Sequence, residues 1–579
     1  MKSIHKSRNR FIILSLVVPV ILLLIFVVYP SVDLVAMSFT SWDGVSPERP
    51  FNGIRNYIEM FTKSPDLWLS LRNNFIYLAV HMVMIPIELG IAVMLNSGFK
   101  GAKLVKTIAF LPFIINGVGM SYAFSYFFSP VNGAFNQILT GLGLSGWICK
   151  WLSDPAIVNF VLAAVSAWRF SGYHIVLFST GLTSIPTEMM EAARIDGANA
   201  WHQLWRIQLP NIWLVFSFVM FDCIRGTLQC FDIPFIMTNG GPGYASSTFT
   251  LYTIDTAFKY NSFGMAATMA VAIMAIVILV YVFQNVVLKK CSTRRRRRDE
   301  PGQMQTRAVP VREISCERRG GCRGCRPIAG HAVHIGENTG PARLHLTHPA
   351  ARSRCVELGQ LCRGAGREAA ARGSENTAVI LVVSIFFNVL LGSVTAYCLQ
   401  RFEFRFRRLV MGCFYLGMLV PTFVVEIARF KVIQSMGLYN TLGAPIIIYV
   451  ASDLMQLYLY MQFVSKIPKA LDESALIDGC GYFRIFYSII FPLLAPATAT
   501  VVILKIVNIV NDMYVPYLYM PKTKLKTLTT FLMNYAGAQQ GSWPTLAAAI
   551  IVVLIPTVVL YLIFHKQITE GLSAGATKE

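Results

Sequence analysis

The sequence predicts an all-α, polytopic helical membrane protein with two homologous transmembrane bundles of about 6 and 5 spans. The 579 residues are 55% hydrophobic and only 14% charged, whereas soluble domains are about a quarter charged. Apolar runs of about 20 residues recur along the chain, and each is long enough to cross a ~30 Å hydrocarbon core as a helix. The second half of the chain repeats features of the first half at fixed offsets, which predicts two related bundles.

Apolar runs place the individual spans in order along the chain. The first run has no small-residue cleavage site after it, so we expect an uncleaved span rather than a signal peptide. In the first half, spans are predicted near residues 11–30, 73–95, 106–128, 156–178, 211–229 and 264–288. In the second half, they are predicted near residues 377–399, 409–430, 444–464, 493–510 and 545–564.

Clusters of basic residues set the expected orientation of these spans. They precede the first span, follow the second between Lys100 and Lys106, and follow the sixth from Lys289 to Arg298. Cytoplasmic flanks are enriched in Lys and Arg, so a cytoplasmic N-terminus places all three clusters on one side. These flanks also account for much of the net charge of +21, which makes nucleic-acid binding a weak explanation.

The two halves are internal repeats. Glu191 and Glu473 are 282 positions apart, and Gly197 with Gly479 and Pro210 with Pro492 keep the same offset. Earlier in each half the offset is 304, as for Leu95 and Leu399. Homologous halves in one membrane chain indicate a pseudo-two-fold pair that encloses a pathway.

The central segment does not fit this pattern. We divide the chain into a first transmembrane domain (1–290), an aberrant linker (291–375) and a second transmembrane domain (376–579). Residues 301–375 contain 12 Arg, 11 Gly, five Cys and no Lys. The orientation requires a crossing here, but Arg at a helix centre costs about 2.5–3.5 kcal/mol on insertion scales. We interpret the segment as a frame-shifted reading of DNA that encoded the missing first span of the second domain.

Other interpretations of the segment remain open. Cys322 and Cys325 followed by His331 and His334 resemble a zinc site, but their spacing is tighter than that of zinc fingers. A basic nucleic-acid arm is also conceivable, although no aromatic residue interleaves the charges. The simplest alternative is a disordered linker.

A soluble-looking hairpin stands between spans in each half. In the first copy, Glu191 is expected in the first turn of a helix, where the macrodipole favours an anion. Alanines keep that helix slim, and Gly197 permits a turn or a close backbone approach. Pro210 then opens the next span. Such a slim, partly apolar helix pair is suited to another protein's groove; a hairpin that only caps the bundle is the alternative.

The residues of this hairpin resemble a known signature. Glu-Ala-Ala, three residues, Gly, nine residues and Ile-x-Leu-Pro form the EAA loop of ABC-importer permease subunits. The first copy matches at Glu191, Ala192, Ala193, Gly197, Ile207, Leu209 and Pro210. The second copy has Glu473, Ser474, Ala475, Gly479, Ile489, Phe491 and Pro492, with mild departures at Ser474 and Phe491.

Other segments extend this resemblance. Residues 51–61 and 231–258 resemble the first-type permease of carbohydrate importers, and residues 511–520 and the C-terminus resemble the second-type permease. The chain is therefore similar to the maltose-importer pair joined head to tail. The resemblance implies the type I ABC-importer fold in the plasma membrane of a bacterium. It also implies a sugar substrate, an extracytoplasmic solute-binding protein, and two ATP-binding cassette subunits that contact the two loops.

Hydrolysis is expected on other chains, because this one has no Gly-x4-Gly-Lys-Ser/Thr motif. We therefore expect no bound cofactor, with ATP used by partner subunits. We also expect no enzyme activity, because no His-Glu-x-x-His motif is present, and we expect neither a metal site nor nucleic acid as a partner. The solute itself stays open, with a glycerol-phosphate ester or a polyamine as the alternative to sugar.

Intramembrane polar and aromatic residues are the candidates for the substrate pathway. For each of them, a structural bond between helices is an equally good explanation. The candidates are Glu88, Asn116, Arg169, Tyr173, Asp222, Gln456 and Asn511, with His81, His174, Gln229, Asp453, Asn508 and Asp512 as further intramembrane polar residues.

Overall fold

A computed structural model describes residues 2–131, 133–299, 365–420, 422–451, 453–536, 547–555 and 558–559. Within these ranges the chain is helical, and the only β-type pairing is an isolated bridge between Thr40 and Phe51. Several helices are long and apolar enough to cross a membrane. The predicted all-α, polytopic membrane fold is confirmed.

The first half begins with one long apolar helix that includes a π-helical turn at Leu24–Val28. Pro30 lies in the first turn after this segment, where a missing N–H is tolerated. The helices are α1 (Lys2–Leu23), α2 (Tyr29–Met37), α3 (Arg55–Thr62), α4 (Pro65–Asn96), α5 (Ala102–Ile114), α6 (Gly117–Phe127), α7 (Ala134–Gly141), α8 (Val158–Thr183), α9 (Thr187–Ile195), α10 (Ala200–Gln203), α11 (Leu209–Asn211), α12 (Trp213–Leu228), α13 (Asp232–Thr238), α14 (Phe249–Phe258) and α15 (Phe263–Asp299).

The second half resembles the first from α4 onward, but it has no counterpart of α7 and has two helices in the place of α8. Its helices are α16 (Ala365–Arg401), α17 (Arg407–Leu419), α18 (Thr422–Ser435), α19 (Gly443–Ala451), α20 (Leu454–Lys466), α21 (Ala470–Ile477), α22 (Tyr482–Ile485), α23 (Phe491–Leu493), α24 (Ala495–Asn511), α25 (Tyr514–Tyr519) and α26 (Leu528–Ala536). Helices α15 and α16 extend into the predicted linker from either side. Residues 301–364, including the cysteines and histidines of the zinc alternative, lie outside the described residues, so the frame-shift interpretation stays a prediction.

Six helical segments within the described ranges are long and apolar enough to cross a membrane, and three further pairs of helices are bent by more than 40°. The predicted span 106–128 is not one straight helix, because α5 and α6 meet at 93°. The predicted span 444–464 bends by 41° between α19 and α20. The predicted span 409–430 divides between α17 and α18. Of the predicted span 545–564, residues 545–546, 556–557 and 560–564 lie outside the described residues.

The side chain of Asn116 explains the sharpest bend. Its Oδ1 accepts hydrogen bonds from the backbone N–H groups of Val118 and Gly119, which caps α6. An N-cap residue satisfies donors that would otherwise be unpaired at a helix start. A helix can therefore begin within the apolar layer without leaving its first N–H groups unpaired.

Helix α1 belongs to the first half in sequence but packs on the second half. Phe11 is 1% exposed and its ring lies 6.0 Å from that of Tyr397 and 4.8 Å from that of Phe483. Near the other end, Arg429 Nε donates to the carbonyl of Phe26 in the π-helical turn, at 2.9 Å. The two halves are thus held together by an exchanged helix.

Candidate functional site

Each EAA loop forms a short helical hairpin, called here hairpin 1 (residues 187–211) and hairpin 2 (residues 470–493). Hairpin 1 turns at the end of α9, where Gly197 has a φ of 78°. The N–H of Ala198 donates to the carbonyl of Ala193 at 2.9 Å, and the N–H of Gly197 donates to that of Arg194 at 3.1 Å. This pair of bonds is the Schellman motif, which satisfies the last carbonyls of a helix.

Hairpin 2 repeats the same turn. Gly479 has a φ of 79°, the N–H of Cys480 donates to Ala475 at 2.9 Å, and the N–H of Gly479 donates to Leu476 at 3.1 Å. No heavy atom lies within 4 Å of a Cβ built on either glycine. Within this chain, Gly197 and Gly479 are therefore needed for the left-handed backbone and not for a close approach.

The remaining signature residues occupy matching places. A π-helical turn follows each short second helix, at Leu204–Gln208 and Phe486–Ile490, again 282 positions apart. Proline then lies in the first turn of α11 and α23. The half-buried signature residues of this region are Ile207, Leu209, Pro210, Ile489 and Phe491, whereas Pro492 is exposed.

One detail of the first helix differs from the prediction. Helix α9 begins at Thr187 after Pro186, so Glu188 and not Glu191 lies in its first turn. Proline disfavours the α conformation in the residue before it, which restricts where the helix can begin. In hairpin 2 the first turn does contain Glu473, together with Asp472. The macrodipole argument thus holds for Glu473 and fails for Glu191.

On both hairpins the second small residue of the signature is buried, whereas an isoleucine and two aromatic residues are exposed. Ala193 and Ala475 are buried, whereas Ala192, Ser474 and both signature glutamates are exposed. Ile195 and Ile477 are each 86% exposed. Two aromatic pairs at the same 282-residue offset are also exposed on the hairpins: Trp201 with Phe483, and Trp205 with Tyr487.

Hairpin 2 is anchored at the N-terminal end of α1. Phe11 stacks near Tyr482 and contacts Phe483 edge to face. Arg401 Nε lies 3.1 Å from a carboxylate oxygen of Asp472, and the hydroxyl of Tyr397 donates to the same carboxylate at 2.6 Å. The hairpin therefore shares one face of the molecule with the start of the chain.

A cavity of about 220 Å³ lies among α8, α12, α13 and α18. We call it the central cavity, since Phe423 of the second half completes a wall built otherwise from the first half. It is lined by His81, Ser166, Arg169, Phe170, His174, Asp222, Cys223, Arg225, Gly226, Thr227, Gln229, Cys230, Phe231, Asp232, Ile233 and Phe423.

Charged side chains on this wall differ in their pairing. Arg225 Nη2 donates to Asp222 Oδ1 at 2.7 Å. Arg169 is only 9% exposed, yet no carboxylate of the described residues lies within 4.0 Å of it. Its Nε has no hydrogen-bond partner there. Asp232 also lacks an ion-pair partner among these residues, so the cavity presents one unpaired charge of each sign.

Two histidines of the cavity wall have polar contacts with neighbouring side chains. His174 Nδ1 lies 2.9 Å from Glu88 Oε2, and both side chains are buried. His81 Nε2 lies 3.1 Å from the hydroxyl of Ser166. Among the described residues no group of three His, Cys, Asp or Glu side chains could hold a metal ion.

Two of the seven predicted pathway residues line the central cavity, namely Arg169 and Asp222. Glu88 supports the lining residue His174, and Tyr173 stacks on Phe113 with ring centroids 4.8 Å apart. Gln456 lines a separate cavity of about 40 Å³ within the second half, beside Asp453.

Asn116 and Asn511 form hydrogen bonds between the halves. Asn116 Nδ2 donates to the carbonyl of Val510 at 3.1 Å, and Asn511 Nδ2 donates to the carbonyl of Ile114 at 3.1 Å. Both amides thus join the break between α5 and α6 to the end of α24. In this conformation, Asn116 and Asn511 therefore serve as hydrogen bonds between helices, which was the alternative to a contact with the solute.

Sequence reasoning missed two charged residues of the cavity, Arg225 and Asp232. Arg225 lies one helical turn after Asp222, a spacing that pairs opposite charges on a helix. Asp232 lies just past the predicted end of a span, so it does not count among the intramembrane polar residues. Only the packing of α13 against α8 and α12 brings it to the same wall.

Comparisons with known proteins agree with the resemblance. A profile of the family described as "Binding-protein-dependent transport system inner membrane component" matches residues 4–293 and again 388–569. A probable ABC transporter permease protein, YurN of Bacillus subtilis, is 30% identical over 281 residues, which are 48% of this chain and 96% of YurN.

Two further relatives carry names that mention solutes. The osmoprotective compounds uptake permease GgtC of Synechocystis is 34% identical over 44% of this chain and 91% of its own. The lactose transport system permease LacF of Rhizobium radiobacter is 31% identical over 46% and 91%. A bacterial ABC transporter that imports alginate superposes with a TM-score of 0.44 and 20% identity, over 50% of this chain and 99% of its own.

Proposed function

The chain belongs to the binding-protein-dependent transport system inner membrane component family, and from this premise we propose that it forms the pathway of an ATP-driven sugar importer. The family matches twice, and each curated relative above spans about half of this chain. One polypeptide would then supply both permease halves of the transporter. The central cavity between them is the proposed route of the solute.

The observation that carries the proposal is the matched pair of hairpins. Each presents an exposed isoleucine at the end of the helix before the glycine turn and two exposed aromatic residues in the helical segment after it. Large exposed apolar groups on a short helix suit a groove in another protein. We infer that each hairpin enters a cleft of one ATP-binding cassette subunit, so that two such subunits drive the two halves.

Orientation follows from charge. The basic clusters support a cytoplasmic N-terminus by the positive-inside rule, and hairpin 2 packs against the start of α1. The hairpins would thus face the compartment that contains ATP. Because the chain has no phosphate-binding loop motif, ATP would be bound and hydrolysed by the partner subunits, and a solute-binding protein would deliver sugar on the opposite face.

The proposal of a sugar as the solute rests on the names of similar proteins. LacF is named for lactose, which supports a sugar, while GgtC is named for osmoprotective compounds. A permease for another solute, such as a glycerol-phosphate ester or a polyamine, is the alternative.

Co-purification tests the coupling role of the hairpins. Ile195→Asp and Ile477→Asp place a charge on side chains that are 86% exposed, so the fold should tolerate them. Each should reduce recovery of the ATPase subunits with the membrane-extracted chain, and the double variant should reduce it most. Val45, which is 82% exposed in the loop after α2, provides the matched control as Val45→Asp. Unchanged ATPase recovery with the double variant would refute the proposal.

A further inference from the structure

The central cavity holds two opposite charges that do not pair with each other. Arg169 on α8 and Asp232 at the start of α13 both line it, without an ion pair to any described residue. An unpaired charge away from water costs several kcal/mol. Arg169 and Asp232 attract each other across the cavity, but neither forms a direct ion pair with a described residue, so hydrogen-bonding groups within the cavity would stabilise both.

Arg225 and Asp222, which also line the cavity, form their own ion pair at 2.7 Å. Glu88 lies behind the wall, with a carboxylate oxygen 2.9 Å from His174 Nδ1. Among the arginine and aspartate side chains that line the cavity, one guanidinium and one carboxylate remain. A solute with net charge would leave one fixed charge uncompensated in a low-dielectric site, whereas an uncharged solute would not.

We propose that Arg169 and Asp232 form a clamp that selects an uncharged, polyhydroxylated solute by bridging neighbouring hydroxyl groups. A hydroxyl donates one hydrogen bond and accepts two, so one hydroxyl accepts from Arg169 while its neighbour donates to Asp232. Hydrogen bonds to charged groups are stronger than those between neutral groups. This inference rests on the proposed function, and it identifies two residues that determine the substrate class of the importer.

Apolar and neutral polar groups beside the clamp suit the same class of solute. Phe231 and Phe423, with ring centroids 5.5 Å apart, offer apolar surface to the C–H groups of a sugar ring. Gln229 adds an amide that both donates and accepts. The clamp disfavours both alternatives to sugar, because a glycerol-phosphate ester is an anion and a polyamine is a cation.

Local packing keeps Arg169 in place. Its guanidinium lies over Gly117, where a Cβ would meet the two terminal nitrogens at 2.5 Å. Its Cζ also lies 5.5 Å from the ring centroid of Phe170. The absence of a side chain at position 117 makes room for the charge at the cavity wall.

Binding measurements on the purified transporter, complete with its partner subunits, test the clamp. The probes are lactose, glycerol 3-phosphate, spermidine and the zwitterion glycine betaine, measured by equilibrium binding and separately by ATP-driven uptake in vesicles. The wild type should prefer lactose. Arg169→Gln and Asp232→Asn should each weaken lactose binding by about 10- to 100-fold, as expected for a lost hydrogen bond to a charged group.

The solute preference of each variant should change according to the charge that remains in its cavity. Asp232→Asn leaves a cation and should favour glycerol 3-phosphate, whereas Arg169→Gln leaves an anion and should favour spermidine. The double variant should lose less lactose affinity than the product of the two single effects, because the two residues interact. A merely structural role for either residue would weaken binding of all probes equally. Arg55→Gln, at an exposed ion pair outside the cavity, is the matched arginine control.

The outcomes separate the two proposals. Lactose uptake that is indifferent to both substitutions would overturn the clamp and leave the importer intact. Clamp-dependent lactose binding without ATP-driven uptake would support the clamp and remove the proposed function. Preference of the wild type for glycerol 3-phosphate or spermidine would overturn the inference, because each carries a net charge. Preference for glycine betaine would overturn it too, because opposite charges on the solute, and not hydroxyl groups, would then satisfy Arg169 and Asp232.

Discussion

Replacement of Gly197 by valine should abolish transport while leaving membrane insertion intact. Gly197 has a φ of 78°, and an L-residue in this left-handed region costs about 1–2 kcal/mol. Valine is branched at Cβ and tolerates the region worst. Open space surrounds the position, so the cost comes from the backbone alone. The fraction of molecules in which the Schellman turn is open would therefore rise by a factor of about 5–30.

The same perturbation at Gly479 provides an internal replicate, because its φ is 79° and its surroundings are equally open. Asparagine adopts the left-handed region far more readily than other side chains, so Gly197→Asn should retain more activity than Gly197→Ala, and alanine more than valine. Gly90 in α4 is the matched control. It also has open space around it but an ordinary helical backbone, so Gly90→Val should have a much smaller effect.

Solute uptake by vesicles, ATPase co-purification and thermal stability in detergent are the measurements. Uptake and co-purification should fall together in the order Asn, Ala, Val, with little change in the melting temperature of the transmembrane core. If Gly197→Val and Gly197→Asn transport equally well, the left-handed turn is not what the hairpin requires. If Gly90→Val is as damaging as Gly197→Val, side-chain bulk and not backbone strain is responsible.

Three further predictions concern other parts of the chain. Glu191→Lys should weaken ATPase docking several-fold, because this exposed carboxylate has no ion-pair partner among the described residues; normal co-purification would contradict it. Arg429→Gln should destabilise the protein by about 3–5 kcal/mol in thermal unfolding, since it leaves Glu426 buried without its cation; a double variant with Glu426→Gln should be milder, and equal losses would argue against the pair. Peptides from residues 301–364 should be absent from the native protein by mass spectrometry if that segment is a frame-shifted reading; their detection would refute that interpretation.

Hydrophobic runs were sufficient to predict a helical membrane protein, because a helix is the simplest way to satisfy backbone groups in lipid. The repeat offset of 282 also predicted both hairpins, including the shared turn at Gly197 and Gly479. These features are local: a backbone that must bond to itself and a turn that needs a positive φ are encoded within a few residues.

Breaks in the spans were less predictable. Residues 106–128 read as one apolar helix, and a capping asparagine in their middle bends them by 93°. Asn116 can do so because Val510 and Thr529 of the other half accept its amide protons. The sequence of the span alone contains no sign of those partners.

Sequence alone determined the fold class, the two halves and the paired hairpins, because hydropathy, periodicity and turn chemistry act over short stretches of chain. Only the tertiary structure decided which polar residues share a cavity. Arg169 and Asp232 are 63 positions apart, and they meet because α8, α12 and α13 pack together. It also placed α1 on the second half, where Arg429 binds the Phe26 carbonyl. Which distant charges come to share one cavity depends on packing between elements, which no local pattern specifies.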